Sequence, residues 1–136
     1  MNGRTQSAAA NGWQSAGYRF GQSSNYGGKP LVEEKVLSDR RNAGGGIAYL
    51  LKFSPPDGKL IKLIATAQSD EHVYILQGGY CNKLAKQLRF PGDYGVNPRG
   101  HNHSAFIGSE TVALVIYLGE PDDVHECDVV DPDKGE

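Results

Sequence analysis

The segment from Gly58 to His103 constrains this chain more than any other, because glycine and proline breaks there separate short apolar runs at close intervals. Residues 59–67 alternate Lys59, Ile61, Leu63, Ala65 and Ala67 with Leu60, Lys62, Ile64 and Thr66. That is the period of two with which a strand presents separate faces. A second run, 73–76, ends at Gly78-Gly79. A third, 83–90, stops at Phe90-Pro91-Gly92-Asp93, where Pro presets φ and Gly accepts a positive one, so a tight turn is expected.

The same pattern extends to both sides. Ile47, Tyr49, Leu51 and Phe53 share one face of a run at 47–53, which Ser54-Pro-Pro-Asp-Gly58 closes. Residues 112–118 form the most apolar run, of the kind found in the core of a sandwich. The glycines of 41–46 mark a loop. Residues 31–40 suit a short helix or a strand, and a strand is preferred because the surroundings are β. Short strands joined by Gly and Pro turns predict an all-β sandwich or barrel.

The flanks differ in composition. Residues 1–30 are rich in Ser, Gly, Asn, Gln and Ala, which reads as a flexible arm. Trp13, Tyr18, Phe20 and Tyr26 argue against that, since large apolar rings prefer burial. The arm is therefore expected to pack along the barrel or across to a partner subunit. The expected division is an arm at 1–30, a barrel at 31–120 and an acidic tail at 121–136. The tail reads as a surface segment with a partly ordered start, with closing strands as the alternative.

The length of 136 residues suits one domain and a single core. A net charge of -2 leaves no basic footprint for nucleic acid or an anionic membrane. No run approaches the ~18 apolar residues of a membrane span, and no apolar leader is visible, so a cytoplasmic setting is expected. Cys81 and Cys127 are too few for a disulfide framework.

Two spacings carry the chemistry. In the first, Gly58, Glu71 and Gly78 bracket positions Ile64 and Thr66, or Ala65 and Ala67 if the spacer is one residue shorter. In the second, Gly92, Pro98, Gly100 and His103 follow one another, with Ile107 four residues on. Together they resemble the two motifs of the cupin family, and the resemblance covers roughly residues 44–120. It implies a double-stranded β-helix, or jelly-roll barrel, with Glu71 and His103 brought together inside. The family's first motif carries a His-x-His pair where this chain has aliphatic residues or Thr66, and the second usually ends in Asn where Ile107 stands. The usual metal site, two strand histidines with a carboxylate and an opposing histidine, is therefore broken.

One repair is open. His101 and His103 form a His-x-His of their own, and with Glu71 would give two imidazoles and one carboxylate, the donor set of non-haem iron oxygenases. Against it, Pro98-Arg99-Gly100 puts His101 in or beside a turn, where strand alternation need not hold. The plain alternative pairs Glu71 with His103 as buried acid and imidazole. His72 should point to the opposite face from Glu71, and His125 reads as solvated.

The expected function is the binding of a small organic ligand inside the barrel, at a pocket of Ile64, Thr66, Glu71, Val73, His103 and Ala105, with no cofactor. The first alternative is a metal-dependent enzyme of oxygenase or lyase type, with one divalent ion (iron, manganese, nickel or zinc) on Glu71, His101 and His103. The second is a dimeric interaction module with a vestigial pocket. A homodimer is expected from the resemblance, and neither nucleic acid nor membrane is expected as a partner.

Overall fold

The computed structural model describes residues 12–134. Its strands are β1 (Gln14–Ser15), β2 (Asn25–Tyr26), β3 (Lys29–Pro30), β4 (Val32–Asp39), β5 (Ile47–Phe53), β6 (Leu60–Thr66), β7 (Glu71–Gln77), β8 (Tyr94–Asn97), β9 (Asn102–Ile107), β10 (Thr111–Tyr117) and β11 (Asp123–Val130). A single helical turn, α1 (Gly17–Phe20), lies in the arm. The strands form a six-stranded sheet in the order β1-β4-β5-β10-β7-β8, a three-stranded sheet β11-β6-β9, and the small hairpin β2-β3. All the paired strands are antiparallel. Among the described residues, no helix is long and apolar enough to cross a membrane.

The core lies between the two larger sheets. Ile47, Tyr49, Leu51 and Phe53 of β5 are all buried, as their alternation predicts, and β10 adds Ala113, Val115 and Tyr117 from the same face. Ile61, Ile107 and Cys127 answer from the three-stranded sheet. Each large side chain so buried contributes about 1.5–3 kcal/mol of transfer free energy. The tyrosines at 49 and 117 meet edge to face, with ring centroids 6.0 Å apart.

Residues 32–39 are a strand, as preferred from the sequence, and its partner β5 fixes the register. The described part of the arm packs on the sandwich: Ala16, Phe20 and Ser24 are buried, and Phe20 meets Phe53 edge-on at 6.2 Å. Trp13 takes the ammonium groups of Lys35 and Lys52 over its ring, at 4.8 and 4.6 Å. The rest of the expected arm, residues 1–11, lies outside the described residues.

Two expectations are corrected. Residues 83–90 are not a strand but part of a folded loop. The Asn82 side-chain oxygen accepts the backbone N–H groups of Leu84 and Lys86, which bends the chain into a turn instead of leaving it extended. Leu84, Leu88 and Phe90 consequently point outward and are exposed. The acidic tail is also no mere surface segment, for its residues 123–130 form β11, paired along β6 with a bulge between Val124 and Glu126. The turn at Phe90-Pro91-Gly92-Asp93 is as expected: the Asp93 N–H donates to the Phe90 carbonyl at 3.0 Å, and Gly92 has φ 93°.

Candidate functional site

Three segments converge on one buried cluster. Glu71 opens β7 and faces inward, between Asn97 of β8 and Tyr117 of β10 in the sheet register. His103 enters from β9, directly across from Ala65 of β6. That register is set by the Pro98–His101 turn, whose Gly100 N–H donates to the Ala67 carbonyl at 2.7 Å, while the Ala67 N–H returns to the His101 carbonyl at 3.0 Å. Gly100 stands at φ 85°, a conformation that a residue with a Cβ adopts only under strain. Asp122 comes from the connection between β10 and β11. That connection is held against the β6–β7 loop by Gln68 Nε2 donating to the Pro121 carbonyl (2.7 Å) and Ser69 Oγ donating to the Glu120 carbonyl (2.8 Å).

His103 Nε2 lies 2.6 Å from Asp122 Oδ2 and 3.6 Å from Glu71 Oε1. Asn97 Nδ2 donates to Glu71 Oε1 at 2.8 Å, and the Tyr117 hydroxyl also hydrogen-bonds Glu71. Asp122 Oδ1 is buried and has no hydrogen-bond partner. Burial raises the Glu71 carboxyl above its usual range and the Asp122 charge raises it further, against the opposing pull of Asn97, His103 and Tyr117. Burial works against a charged His103, but the hydrogen bond to Asp122 and the charges of Glu71 and Asp122 outweigh it, so its imidazole is raised. The hydroxyls of Tyr80 and Tyr117 are held well above the phenol range by burial and then by both carboxylates.

The cluster lines a cavity of about 440 Å³. Leu51, Phe53, Leu63, Val73, Ile75 and Val115 form much of its apolar wall, and Phe20 of the arm reaches it too. Arg89, Asp93, Tyr94 and Val96 border it from the β7–β8 side.

Of the pocket expected from the sequence, Glu71, Val73, His103 and Ala105 line this cavity. Ile64 and Thr66 do not, because β6 presents its other face: Leu63 stands across from Ala105 and Ala65 across from His103. The Thr66 hydroxyl instead hydrogen-bonds Asn102 and His125 away from the cavity. The structure does not bring His101 to Glu71 and His103. It is exposed in the turn, its N–H bonded to the Pro98 carbonyl, and the third member of the cluster is Asp122. His72 points the other way, towards the Tyr94 hydroxyl, as expected. Asp122 was hidden in Glu120-Pro121-Asp122-Asp123, a stretch that reads as solvated. The sign it offered was the apolar Val124, Cys127 and Val129 that follow.

One donor atom from each of Glu71, His103 and Asp122 falls within 4.8 Å of the others. One imidazole and two carboxylates suit a hard divalent ion such as manganese better than a thiophilic one. Leu63 and Ala65 of the neighbouring strand β6 add no ligating atom beside His103, and the opposite sheet contributes Glu71, Asn97 and Tyr117.

No protein-family model and no curated protein matches this sequence. Solved structures do match in shape. A protein of unknown function with a cupin-like fold from Ralstonia eutropha JMP134 superposes with a TM-score of 0.60 at 18% identity, covering 88% of this chain and 74% of the other. KdgF from Halomonas sp. gives 0.58 at 16% identity, over 86% and 94%. Ectoine synthase from P. lautus gives 0.55 at 11%, over 76% and 82%. At such identities the likeness carries architecture and leaves function to the site. The two antiparallel sheets, their jelly-roll order and these superpositions agree: this chain has the cupin fold.

Proposed function

We propose that this chain binds a small organic molecule in the cavity between its sheets, the molecule's polar end against Glu71, His103 and Asp122. The observation that carries the reading is the combination of an apolar wall with one convergent polar cluster in a cavity of about 440 Å³. Small-molecule sites have this composition and size, roughly 300–1,000 Å³. The test is a fragment screen by ligand-observed NMR on the wild type and on Ala105→Phe, whose ring would fill the space beside Leu63. Fragments that bind the wild type and not the variant support the reading. A protein whose fragment binding is indifferent to residue 105 overturns it.

A second reading, favoured by the 4.8 Å grouping of donor atoms, makes the cluster a divalent-metal centre and the chain an enzyme of oxygenase or lyase type. Glu71, His103 and Asp122 would hold the ion, which when bound would supply a Lewis acid or a dioxygen site. That one fold neighbour is a synthase makes catalysis compatible with this architecture. Elemental analysis of protein purified without added metal, beside His103→Ala, separates the two: stoichiometric metal lost on substitution favours the enzyme. A homodimer belongs to either reading. Tyr74, Leu76 and Ile116, exposed on the large sheet, supply apolar surface for it, and sedimentation would test it.

A further inference from the structure

We infer that the molecule held in this cavity carries a cationic nitrogen, an ammonium or amidinium, which docks on Asp122 Oδ1 beside Glu71. The inference rests on the ligand-binding reading above and names the chemistry of its ligand. Two independent observations meet here. The first is a buried oxygen with nothing to bond. Asp122 is 8% exposed, lines the cavity and gives Oδ2 to His103, while Oδ1 has no partner. A buried carboxylate oxygen without a donor costs on the order of a lost charged hydrogen bond, a cost that a donor on a bound molecule would relieve.

The second is the balance of charge along the cavity. Its charged lining consists of Glu71, Asp93 and Asp122 against Arg89 and His103. With all three carboxylates ionised and His103 protonated, one negative charge is in excess; a proton on the raised Glu71 carboxyl would cancel it in the empty site, and a ligand cation would take that proton's place. The nearby Arg19 does not settle it, since its guanidinium is paired with Glu34 at 3.2 Å. An anionic head group would be repelled, and a neutral hydroxyl or amide would give Asp122 Oδ1 a hydrogen bond without the added attraction of a positive charge. An ammonium offers up to three N–H donors, enough for Asp122 Oδ1 and the Glu71 carboxylate together, and displaces no existing hydrogen bond. A metal ion must instead draw His103 Nε2 away from the Asp122 Oδ2 that it now touches at 2.6 Å. Tyr80 and Tyr117, both lining the cavity near these carboxylates, add aromatic surface suited to a cation. The body of the ligand is small and apolar, matching Leu63, Val73 and Val115.

Three probes of one shape test this at neutral pH: benzylamine, benzyl alcohol and benzoate, titrated by ligand-observed NMR. Benzylamine should bind at least about tenfold more tightly than benzyl alcohol, the scale of one charged hydrogen bond, and benzoate most weakly. Asp122→Asn should remove that preference, and a cooperative melting transition within a few degrees of the wild type reports that the variant is folded. Equal affinities, a preference for benzoate, or a preference that survives Asp122→Asn overturn the inference while leaving the cavity a ligand site. Failure of all three probes removes the cavity reading and this one with it. Saturation by one equivalent of manganese(II), with benzylamine excluded, assigns the carboxylates to a metal and overturns the inference as well.

Discussion

At Glu34 and at Asp122 the same sandwich buries a carboxylate, yet the two are completed in opposite ways. Glu34 is 3% exposed and uses both oxygens: Oε1 accepts from Arg19 Nη2 at 3.2 Å and Oε2 from the Tyr18 hydroxyl at 2.6 Å. The guanidinium also lies over the rings of Phe20 and Tyr49, at 4.9 and 4.5 Å, so its faces are covered as well. Charge is balanced one to one, and the cluster fastens the arm to β4. Around Asp122, two carboxylates share one imidazole and one oxygen is left over. The first carboxylate is fully used, although Arg19 Nε and Nη1 remain without hydrogen-bond partners, whereas the second keeps an oxygen able to take a donor.

The sharpest way to break this contrast is to remove Glu34. Glu34→Ala would strand the Arg19 guanidinium in the interior, and the loss of one partner from a buried pair costs about 3–5 kcal/mol. Urea denaturation should show a drop of that size and a loosened arm, visible as easier proteolysis before β4. A loss below about 1 kcal/mol, the level of a surface pair, would mean that Glu34 and Arg19 fasten nothing.

The pH dependence should come from the other cluster. Glu71 and His103 both hold their protons more tightly in the folded chain than their ordinary values allow, for the causes given above. The native state therefore binds more protons than the unfolded one wherever these groups titrate, and stability falls as pH rises. The contribution is complete below the ordinary carboxylate and imidazole values and is lost as pH climbs through the raised ones. Melting temperatures of the ligand-free protein should decline from mildly acidic to mildly alkaline pH. The decline should flatten in Glu71→Gln. A cationic ligand should oppose it, by stabilising the ionised carboxylates. Stability that rises over that interval would contradict the assignment.

Much of this was legible from the chain, and the rest was hidden for a common reason. Alternation at 47–53 gave β5 and its inward face, because Tyr49 and Phe53 are large and Lys52 is charged. The cupin resemblance carried by the Gly and Pro spacings implied that Glu71 and His103 meet, and 3.6 Å separates their nearest polar atoms. The facing of β6 was not legible, since Leu60 and Ile64 are as apolar as Ile61 and Leu63. Only the pairing of Ala65 with His103, set by a turn some 35 residues away in sequence, decides which side enters the cavity. Asp122 was hidden similarly: what buries it is Gln68 and Ser69 gripping the backbone beside it, a contact that leaves no local mark in an acidic sequence. At 83–90 the misleading signal was local, a strand-like composition overridden by the Asn82 side chain.

The smallest expected effect is the most telling. Asp122→Asn in the ligand-free protein keeps an acceptor for His103 but removes one of two neighbouring buried charges. It loses the strength of a charge-assisted hydrogen bond and gains relief from Glu71 and from desolvation, terms of similar size and opposite sign. An amide at this position can also turn its NH₂ towards Glu71. The change in unfolding free energy should therefore stay within about 1 kcal/mol, against the much larger loss expected at Glu34. A loss comparable to that of Glu34→Ala would show Asp122 to be as fully used as Glu34 in the empty protein. The unpartnered oxygen would then be no place for a ligand.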